Sequence, residues 1–206
     1  MAETADKPLN VQIIGHSYIR RLHEYCDKNN ILNLRLDRDF CAVNFRGKGG
    51  LRLRHIGQTS GGSRHELFHF DVVPDVVFLQ VGGNDISAHT NCTQLARDIV
   101  SLAKYLVLGV GVRLVYIGQL IRRLPFTVCT GYNEMVVQTN INLEAMTKHI
   151  AGVEFWHHRG FWASLAYLGP DGVHLDCTPS HSQPMRKYLR SIRNAVIQAP
   201  KFLRPV

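Results

Sequence analysis

The chain has 206 residues, of which 45% are hydrophobic and 19% are charged, so it has enough apolar material for one sizeable core and is not typical of a disordered chain. No run approaches the roughly 18 apolar residues of a membrane span, and residues 1–7 lack the apolar stretch of a secretory signal. We predict one globular domain over residues 8–200, flexible termini at 1–7 and 201–206, and an intracellular location, cytoplasmic or nuclear.

Short apolar runs of strand length alternate with segments of helical periodicity. The predicted strands are Val11–Gly15, Cys41–Phe45, Val76–Val81, Arg113–Ile117 and Val153–Trp156. The predicted helices are Tyr18–Asn29, Thr93–Leu108, Tyr132–Ile150 and Ser180–Gln198. Because the strands are short, β-branched and apolar on both faces, we predict an α/β protein: a three-layer α/β/α sandwich with a five-stranded parallel sheet.

A serine follows the first predicted strand. In such sheets ligands bind at the carboxyl ends of the strands, where loops turn into helices. The strand ends in Gly15-His16-Ser17 and an amphipathic segment follows. Ser17 is therefore placed at a strand end and a helix start, where a helix N-terminus favours a developing anion. A nucleophile and an ordinary N-cap are the two interpretations of this position.

Two further loops follow strands at the same predicted edge. The second strand leads into a glycine-rich turn that ends at Gly49 and Gly50, and such a turn can bring backbone N–H groups close to a substrate oxygen. The third leads into Gly82-Gly83-Asn84-Asp85, where Asn84 can offer an amide N–H.

An acid and a base lie close together after the last predicted strand. Asp171 and His174 are three residues apart in Gly169-Pro170-Asp171-Gly172-Val173-His174. A serine hydroxyl needs a base to remove its proton, and a neutral histidine with a pKa near 6.5 suits that task. A neighbouring carboxylate can orient the imidazole and stabilise its charged form.

Taken in order, four blocks resemble those of the SGNH (GDSL-like) hydrolase superfamily: Gly15-His16-Ser17, Gly50, Gly83-Asn84-Asp85 and Asp171-x-x-His174. The resemblance spans residues 11–174 and implies the three-layer fold and a serine esterase acting on a small-molecule or lipid ester without a cofactor or metal. It implies Ser17 as the nucleophile, His174 as the general base and Asp171 as its orienting partner. The implied oxyanion donors are the Ser17 and Gly50 N–H groups and the Asn84 side chain.

The sequence departs from the family pattern before the serine and in the glycine block. His16 stands where the family usually has aspartate, so the hydrogen bonds that an aspartate accepts must be made differently or lost. In the glycine block, a register shift of one residue would make Gly49 the oxyanion donor in place of Gly50. Members of similar length and basic character also occur in mobile elements, and the Gly-His-Ser variant is compatible with that origin. No Gly-x-Ser-x-Gly elbow occurs, which argues against the α/β-hydrolase fold.

Residues 65–69 spell H-E-x-x-H, a pattern that can place two zinc ligands on one helical turn. Pro74 follows closely and no third ligand is evident, so we favour an amphipathic helix that covers the sheet. His157 and His158 could be metal ligands or pocket walls, although adjacent histidines after a strand are more often neither.

The net charge of +8 leaves a second class of function open, a catalytically weak module that binds nucleic acid, an anionic membrane surface or another anionic partner. The basic residues that could form such a surface are Arg46, Lys48, Arg52, Arg54, Arg122, Arg123, Arg186, Lys187, Arg190 and Arg193. Aromatic residues near the later strands could wall an acyl pocket or pack in the core: Phe126, Trp156, Phe161, Trp162 and Tyr167.

Overall fold

Five parallel strands form one sheet in the computed structural model, which describes residues 7–56, 66–178, 180 and 182–203. The strands are β1 Leu9–Gly15, β2 Cys41–Gly47, β3 Val76–Gln80, β4 Leu114–Gly118 and β5 Val153–Trp156. Their order in the sheet is β2-β1-β3-β4-β5 and every neighbouring pair is parallel. The order reverses direction between β1 and β3, which is where open α/β sheets bind ligands. The predicted fold class is confirmed.

Four long helices connect and cover the strands. They are α1 Ser17–Lys28, α2 Cys92–Tyr105, α3 Tyr132–Thr147 and α4 Gln183–Leu203. Single 3₁₀ turns also occur at Leu53–His55, Glu66–Phe68 and Pro125–Thr127, whereas Leu32–Arg35 is an irregular turn with positive φ angles at Asn33, Leu34 and Arg35. None of the helices in the described part of the chain combines the length and apolar character that crossing a membrane requires.

Side chains alternate between the two faces of the sheet, and each face has its own core. Val76 and Phe78 of β3 pack with α1 and α4, whereas Val77 and Leu79 pack with α2 and α3. All four side chains are fully buried. Both faces of the strand are therefore covered by helices, which explains its continuous apolar run.

Three helices, α2, α3 and α4, differ from their predicted bounds by three residues or more. Helix α2 ends at Tyr105 and continues as a wide turn over Leu106–Val110, which Gly111 terminates with a φ of 92°. Helix α3 ends at Thr147, three residues before the predicted end. Helix α4 begins three residues late, at Gln183, and runs to Leu203, five residues beyond the predicted end.

A buried polar network joins the carboxyl ends of β3, β4 and β5 to α4. His158 Nε2 donates to Gln80 Oε1 at 2.9 Å, and its Nδ1 accepts from Ser191 Oγ at 2.8 Å. Tyr188 also donates to Gln80 Oε1, whose amide nitrogen donates to the Gln119 carbonyl. These bonds fix His158 as the neutral tautomer with its proton on Nε2, and burial lowers its pKa to about 3.

Candidate active site

Ser17 is the first residue of α1 and directly follows the loop at the end of β1. The Tyr18 N–H donates to His16 Nδ1 at 3.4 Å, so His16 is the N-cap of the helix and the Ser17 hydroxyl is not used for capping. The N–H of Ser17, at the first helical position, has no acceptor within the helix. The hydroxyl and the backbone N–H of Ser17 are therefore available for contacts outside the helix.

The structure brings Ser17, His174 and Asp171 together. His174 Nε2 lies 2.8 Å from Ser17 Oγ, and His174 Nδ1 lies 2.8 Å from Asp171 Oδ2. Because the carboxylate accepts the proton of Nδ1, Nε2 is free to accept the proton of the serine hydroxyl. This arrangement can activate a serine nucleophile.

Asp171 is locked in position by the backbone of its own turn. Its Oδ1 accepts the N–H groups of Val173 at 3.0 Å and His174 at 2.8 Å. Burial alone raises its pKa, but the hydrogen bonds from the backbone and ring of His174 and from the Val173 N–H outweigh burial and lower the pKa to about 2. Asp171 is therefore a carboxylate throughout the neutral range.

His174 is held in its neutral form. Burial lowers its pKa from 6.5, and the positive charges of Arg21 and Arg123 act in the same direction, against the opposing effect of Asp171. Arg21 lies one turn after Ser17 on α1, and its guanidinium donates to Asp171 Oδ2 at 3.3 Å. A neutral imidazole is the form that can take a proton from an alcohol.

Gly50 and Asn84 line one pocket of about 390 Å³. Gly50 has a φ of 68°, which strongly favours glycine, and a Cβ built on it would meet nothing within 4 Å. Asn84 Nδ2 donates one hydrogen to the Leu51 carbonyl at 3.1 Å, which leaves its second hydrogen for another acceptor. Among the described residues that line this pocket, Gly50 is present and Gly49 is not. The pocket therefore favours Gly50 over Gly49 as the candidate that donates a backbone N–H to the oxyanion.

Arg123 also lies at this site, although the sequence indicated it only as one of many basic residues. Its guanidinium donates to Asn84 Oδ1 at 2.8 Å. A Cβ at Gly83 would lie 3.5 Å from Arg123 Nη2, 3.5 Å from His16 Nε2 and 3.6 Å from the Tyr132 hydroxyl, so these groups converge on one point. The signal for Arg123 was its position in the loop after β4, at the same carboxyl edge as the other site loops.

Solved structures of hydrolases share this arrangement of strands and helices. An acetyl esterase variant crystallised with acetate has a TM-score of 0.64 and 15% identity, covering 95% of this chain and 100% of that chain. A carbohydrate esterase of family 3 from Talaromyces cellulolyticus has a TM-score of 0.63 and 15% identity, covering 94% and 98%. A lipolytic protein of the G-D-S-L family from Veillonella parvula has a TM-score of 0.56 and 17% identity, covering 90% and 96%. The chain has the SGNH hydrolase fold.

Comparison of the sequence alone identifies no family. No protein-family model matches it, and no curated protein matches it significantly. The similarity to solved structures with the SGNH fold is therefore one of three-dimensional structure, at sequence identities of 13–17%.

His16, the departure from the family pattern, replaces the expected aspartate as a cap acceptor in this SGNH fold. Its Nδ1 accepts the Tyr18 N–H, so its proton is on Nε2. Burial, followed by the charges of Arg123 and His174, lowers the pKa of His16 to about 3. At this position, a neutral imidazole therefore accepts the hydrogen bond. An aspartate would accept it as a negatively charged carboxylate.

The zinc alternative receives no support from the described residues. Glu66–Phe68 is a single 3₁₀ turn rather than an amphipathic α-helix, and His69 lies beyond it with 82% of its side chain exposed. His65 lies outside the described residues. Within the described part of the chain, no cluster of three histidine, cysteine or acidic side chains could hold a metal.

The remaining predicted candidates contact other parts of the protein. His157 is exposed and lies 3.4 Å from Glu144, whereas His158 belongs to the buried network. Among the aromatic residues, Phe161 and Tyr167 pack together in the core, Trp156 packs on Tyr116, and Phe126 and Trp162 are exposed. The described lining of the 390 Å³ pocket includes none of these aromatic residues; its apolar side chains include Ile86, Ala88 and Val128.

Several of the predicted basic residues form a separate surface on α4. Arg186, Arg190 and Arg193 line a pocket of about 370 Å³ together with Arg35 and Tyr25. The Arg186 Nε donates to the Tyr25 hydroxyl at 3.3 Å. Ser17, His174 and Asp171 are absent from the described residues that line this pocket.

Proposed function

We propose that the protein is a serine ester hydrolase with Ser17 as nucleophile, His174 as general base and Asp171 as the carboxylate that orients His174. The observation that carries the proposal is the 2.8 Å distance from His174 Nε2 to Ser17 Oγ, with the other ring nitrogen 2.8 Å from Asp171. Esterases among the solved structures of the same fold support it.

The first half of the reaction forms an acyl-enzyme. His174 Nε2 takes the hydroxyl proton as Ser17 Oγ attacks the acyl carbonyl carbon, and the carbonyl electrons move onto its oxygen. The Ser17 and Gly50 N–H groups and the Asn84 amide stabilise this oxyanion, with each donor contributing roughly 3 to 4 kcal/mol. The tetrahedral intermediate then expels the alcohol, which takes the proton from His174.

The second half of the reaction restores the enzyme. His174 removes a proton from water as the water attacks the acyl carbonyl, and Ser17 leaves with that proton when the carboxylic acid is released. Asp171 stabilises the transient imidazolium in both halves. The likeness to an acetyl esterase structure favours a short acyl group.

The test is hydrolysis of p-nitrophenyl acetate by wild type and by Ser17→Ala, together with labelling by a fluorophosphonate. We expect Ser17→Ala to lower kcat by about a thousandfold or more. We expect a stoichiometric adduct on Ser17 by mass spectrometry. Ser101→Ala, an exposed serine on α2, is the matched control. Equal turnover by wild type and Ser17→Ala eliminates Ser17 as the nucleophile.

A second candidate function, nucleic-acid binding, is favoured by the arginine pocket on α4. Clustered arginines release counterions from a phosphate backbone, so binding weakens as salt increases. We expect a triple variant with glutamine at positions 186, 190 and 193 to weaken binding of a fluorescent single-stranded RNA about tenfold or more. Fluorescence anisotropy over a salt series measures this.

The control variant also loses three positive charges, but from the helices that cover the opposite face of the sheet. Arg97, Lys104 and Lys148 are exposed on α2 and at the end of α3, away from the α4 arginines. If glutamine at these three positions weakens RNA binding equally, net charge alone accounts for the affinity and the α4 pocket is not a binding site.

A further inference from the structure

The pocket beside Gly50 and Asn84 is lined by two arginines. Arg52 and Arg123 both contribute to its lining. Among the described residues, its lining includes no aspartate or glutamate. Arg52 interacts electrostatically with the Asp85 carboxylate, which lies outside this lining, so Arg123 is the main uncompensated cation of the pocket.

Arg123 is fixed in this pocket by neutral partners. Its backbone N–H donates to Asn133 Oδ1 at 2.9 Å, and Asn133 Nδ2 donates to its carbonyl at 2.8 Å. Its guanidinium stacks over the Tyr132 ring, 5.2 Å from the centroid, and donates to Asn84. The position of the cation is thus set by two elements and does not depend on an acidic residue.

The charge of Arg123 is left uncompensated by the protein. Within the described part of the chain, no carboxylate forms an ion pair with it. Its Nε is buried and has no hydrogen-bond partner among those residues. Partly burying a charge without a counter-charge costs free energy, and a bound anion offsets that cost. The planar guanidinium matches a carboxylate or phosphate group in particular.

We propose that this pocket binds an anionic group of the ester substrate, with Arg123 as the main contact and Arg52 as a second cation at the rim. The inference rests on the proposed esterase function, because it places the anionic group next to the proposed oxyanion donors Gly50 and Asn84. Arg123 has a second role here as a positioning residue, since its bond to Asn84 Oδ1 directs the amide hydrogens of Asn84 away from itself. The substrate class is then an ester that carries a carboxylate or phosphate in its acyl or alcohol part.

Two matched pairs of substrates test this and distinguish the two parts of the ester. For the acyl side, p-nitrophenyl hydrogen succinate is compared with p-nitrophenyl butyrate, which differs mainly in the terminal carboxylate. For the alcohol side, p-acetoxybenzoate is compared with phenyl acetate. In one of the pairs, we expect Arg123→Gln to lower kcat/KM for the anionic ester at least about tenfold more than for the neutral ester, because a charge-assisted hydrogen bond is lost.

Arg52→Gln and Arg54→Gln complete the experiment. Arg52 is exposed, so its replacement is tolerated by the fold and keeps the test available if Arg123→Gln does not fold. We expect a smaller selective loss for Arg52→Gln. Arg54 lies two residues away but lines a different pocket, so Arg54→Gln has no selective effect.

The outcomes separate the inference from the proposed function. If the arginine variants lower kcat/KM equally for the anionic and neutral members of both pairs, the anion site is overturned and the esterase proposal stands. If wild type hydrolyses none of the esters and Ser17 forms no fluorophosphonate adduct, the proposed function itself fails. A selective loss in either pair supports the inference and identifies the part of the ester that carries the charge.

Discussion

His174 Nε2 lies 2.8 Å from Ser17 Oγ, although 157 positions separate the two residues along the chain. A neighbouring contact supports this pair, since the Tyr18 hydroxyl donates to the Val173 carbonyl. The residue after the serine is therefore bonded to the residue before the histidine. The start of α1 and the loop before α4 are held together at two adjacent points.

Asp171→Asn should leave the fold intact and abolish most of the activity. The asparagine oxygen can still accept the N–H groups of Val173 and His174, but its amide would then donate to His174 Nδ1. That moves the histidine proton to Nε2, where it prevents abstraction of the serine proton. We expect kcat to fall by about 10³ to 10⁴ with little change in Tm.

Asp176→Asn is the control for this prediction. Asp176 lies in the same loop, but its carboxylate accepts the Thr178 N–H rather than contacting the histidine. Its replacement should keep most of the activity. A kcat for Asp171→Asn within a few-fold of wild type would show that Asp171 does not select the tautomer of His174.

Arg21→Gln should shift the acid limb of the pH profile of kcat/KM to higher pH. Only neutral His174 can act as the base, so activity is lost as the pH falls through its pKa. Burial lowers that pKa and the charge of Arg21 lowers it further. Removing Arg21 raises the pKa, so more of the enzyme is protonated at a given acidic pH.

Arg20→Gln is the matched control for the pH profile. Arg20 is the neighbouring residue on α1 and pairs with Glu24 on the exposed side of the helix. We expect its acid limb to coincide with that of wild type. Identical limbs for Arg21→Gln and Arg20→Gln would contradict the contribution of Arg21 to the pKa of His174.

The convergence of Ser17 and Asn84 was predictable from the sequence because each closely follows a strand of the parallel sheet. Ser17 lies two residues after β1, and Asn84 lies four residues after β3. Parallel strands bring their carboxyl ends to one edge, so the order of elements already places these side chains together. Asp171 and His174 were recognisable by their spacing and by the family resemblance.

The loop after β4 places Arg123 at the same edge of the sheet, but its contacts in the site and the capping role of His16 could not be predicted in this way. The position of Arg123 depends on the two hydrogen bonds with Asn133, a tertiary contact that no local pattern records. The acceptor role of His16 depends on a tautomer, which burial and the Tyr18 N–H select in the folded protein. Helix ends were also imprecise, because apolar periodicity in α2 continues into the wide turn after Tyr105.

We expect the protein to lose stability in acid because its fold buries His158 in the neutral form. Its pKa is about 3 in the folded state against 6.5 ordinarily, so between these values the unfolded chain binds a proton that the folded chain does not. The free energy of unfolding therefore falls as the pH decreases through this window, by up to about 1.4 kcal/mol per pH unit for this residue. His16, which has a similarly lowered pKa, adds to the slope.

His158→Gln isolates this contribution. Urea unfolding at several pH values between 6.5 and 3 should give a shallower dependence for this variant, by about 1.4 kcal/mol per pH unit, whatever its absolute stability. His157→Gln replaces the exposed neighbouring histidine and should keep the slope of wild type. Equal slopes for all three proteins would mean that His158 is not held neutral by the fold.

Gly15→Ala should destabilise the protein strongly, because β1 and β3 approach each other closely at the position that leads into Ser17. An added Cβ would lie 2.3 Å from the Gln80 carbonyl oxygen and 2.8 Å from Ile19 Cγ1, so backbone must move. We expect the free energy of unfolding, measured with urea, to fall by about 3 kcal/mol or more.

Gly49→Ala is the control for this prediction. Its added Cβ would meet only Arg20 Nε, at 3.7 Å, so its free energy of unfolding should change by less than about 1 kcal/mol. Similar losses for the two variants would show that the contact between Gly15 and Gln80 is not close enough to exclude a methyl group.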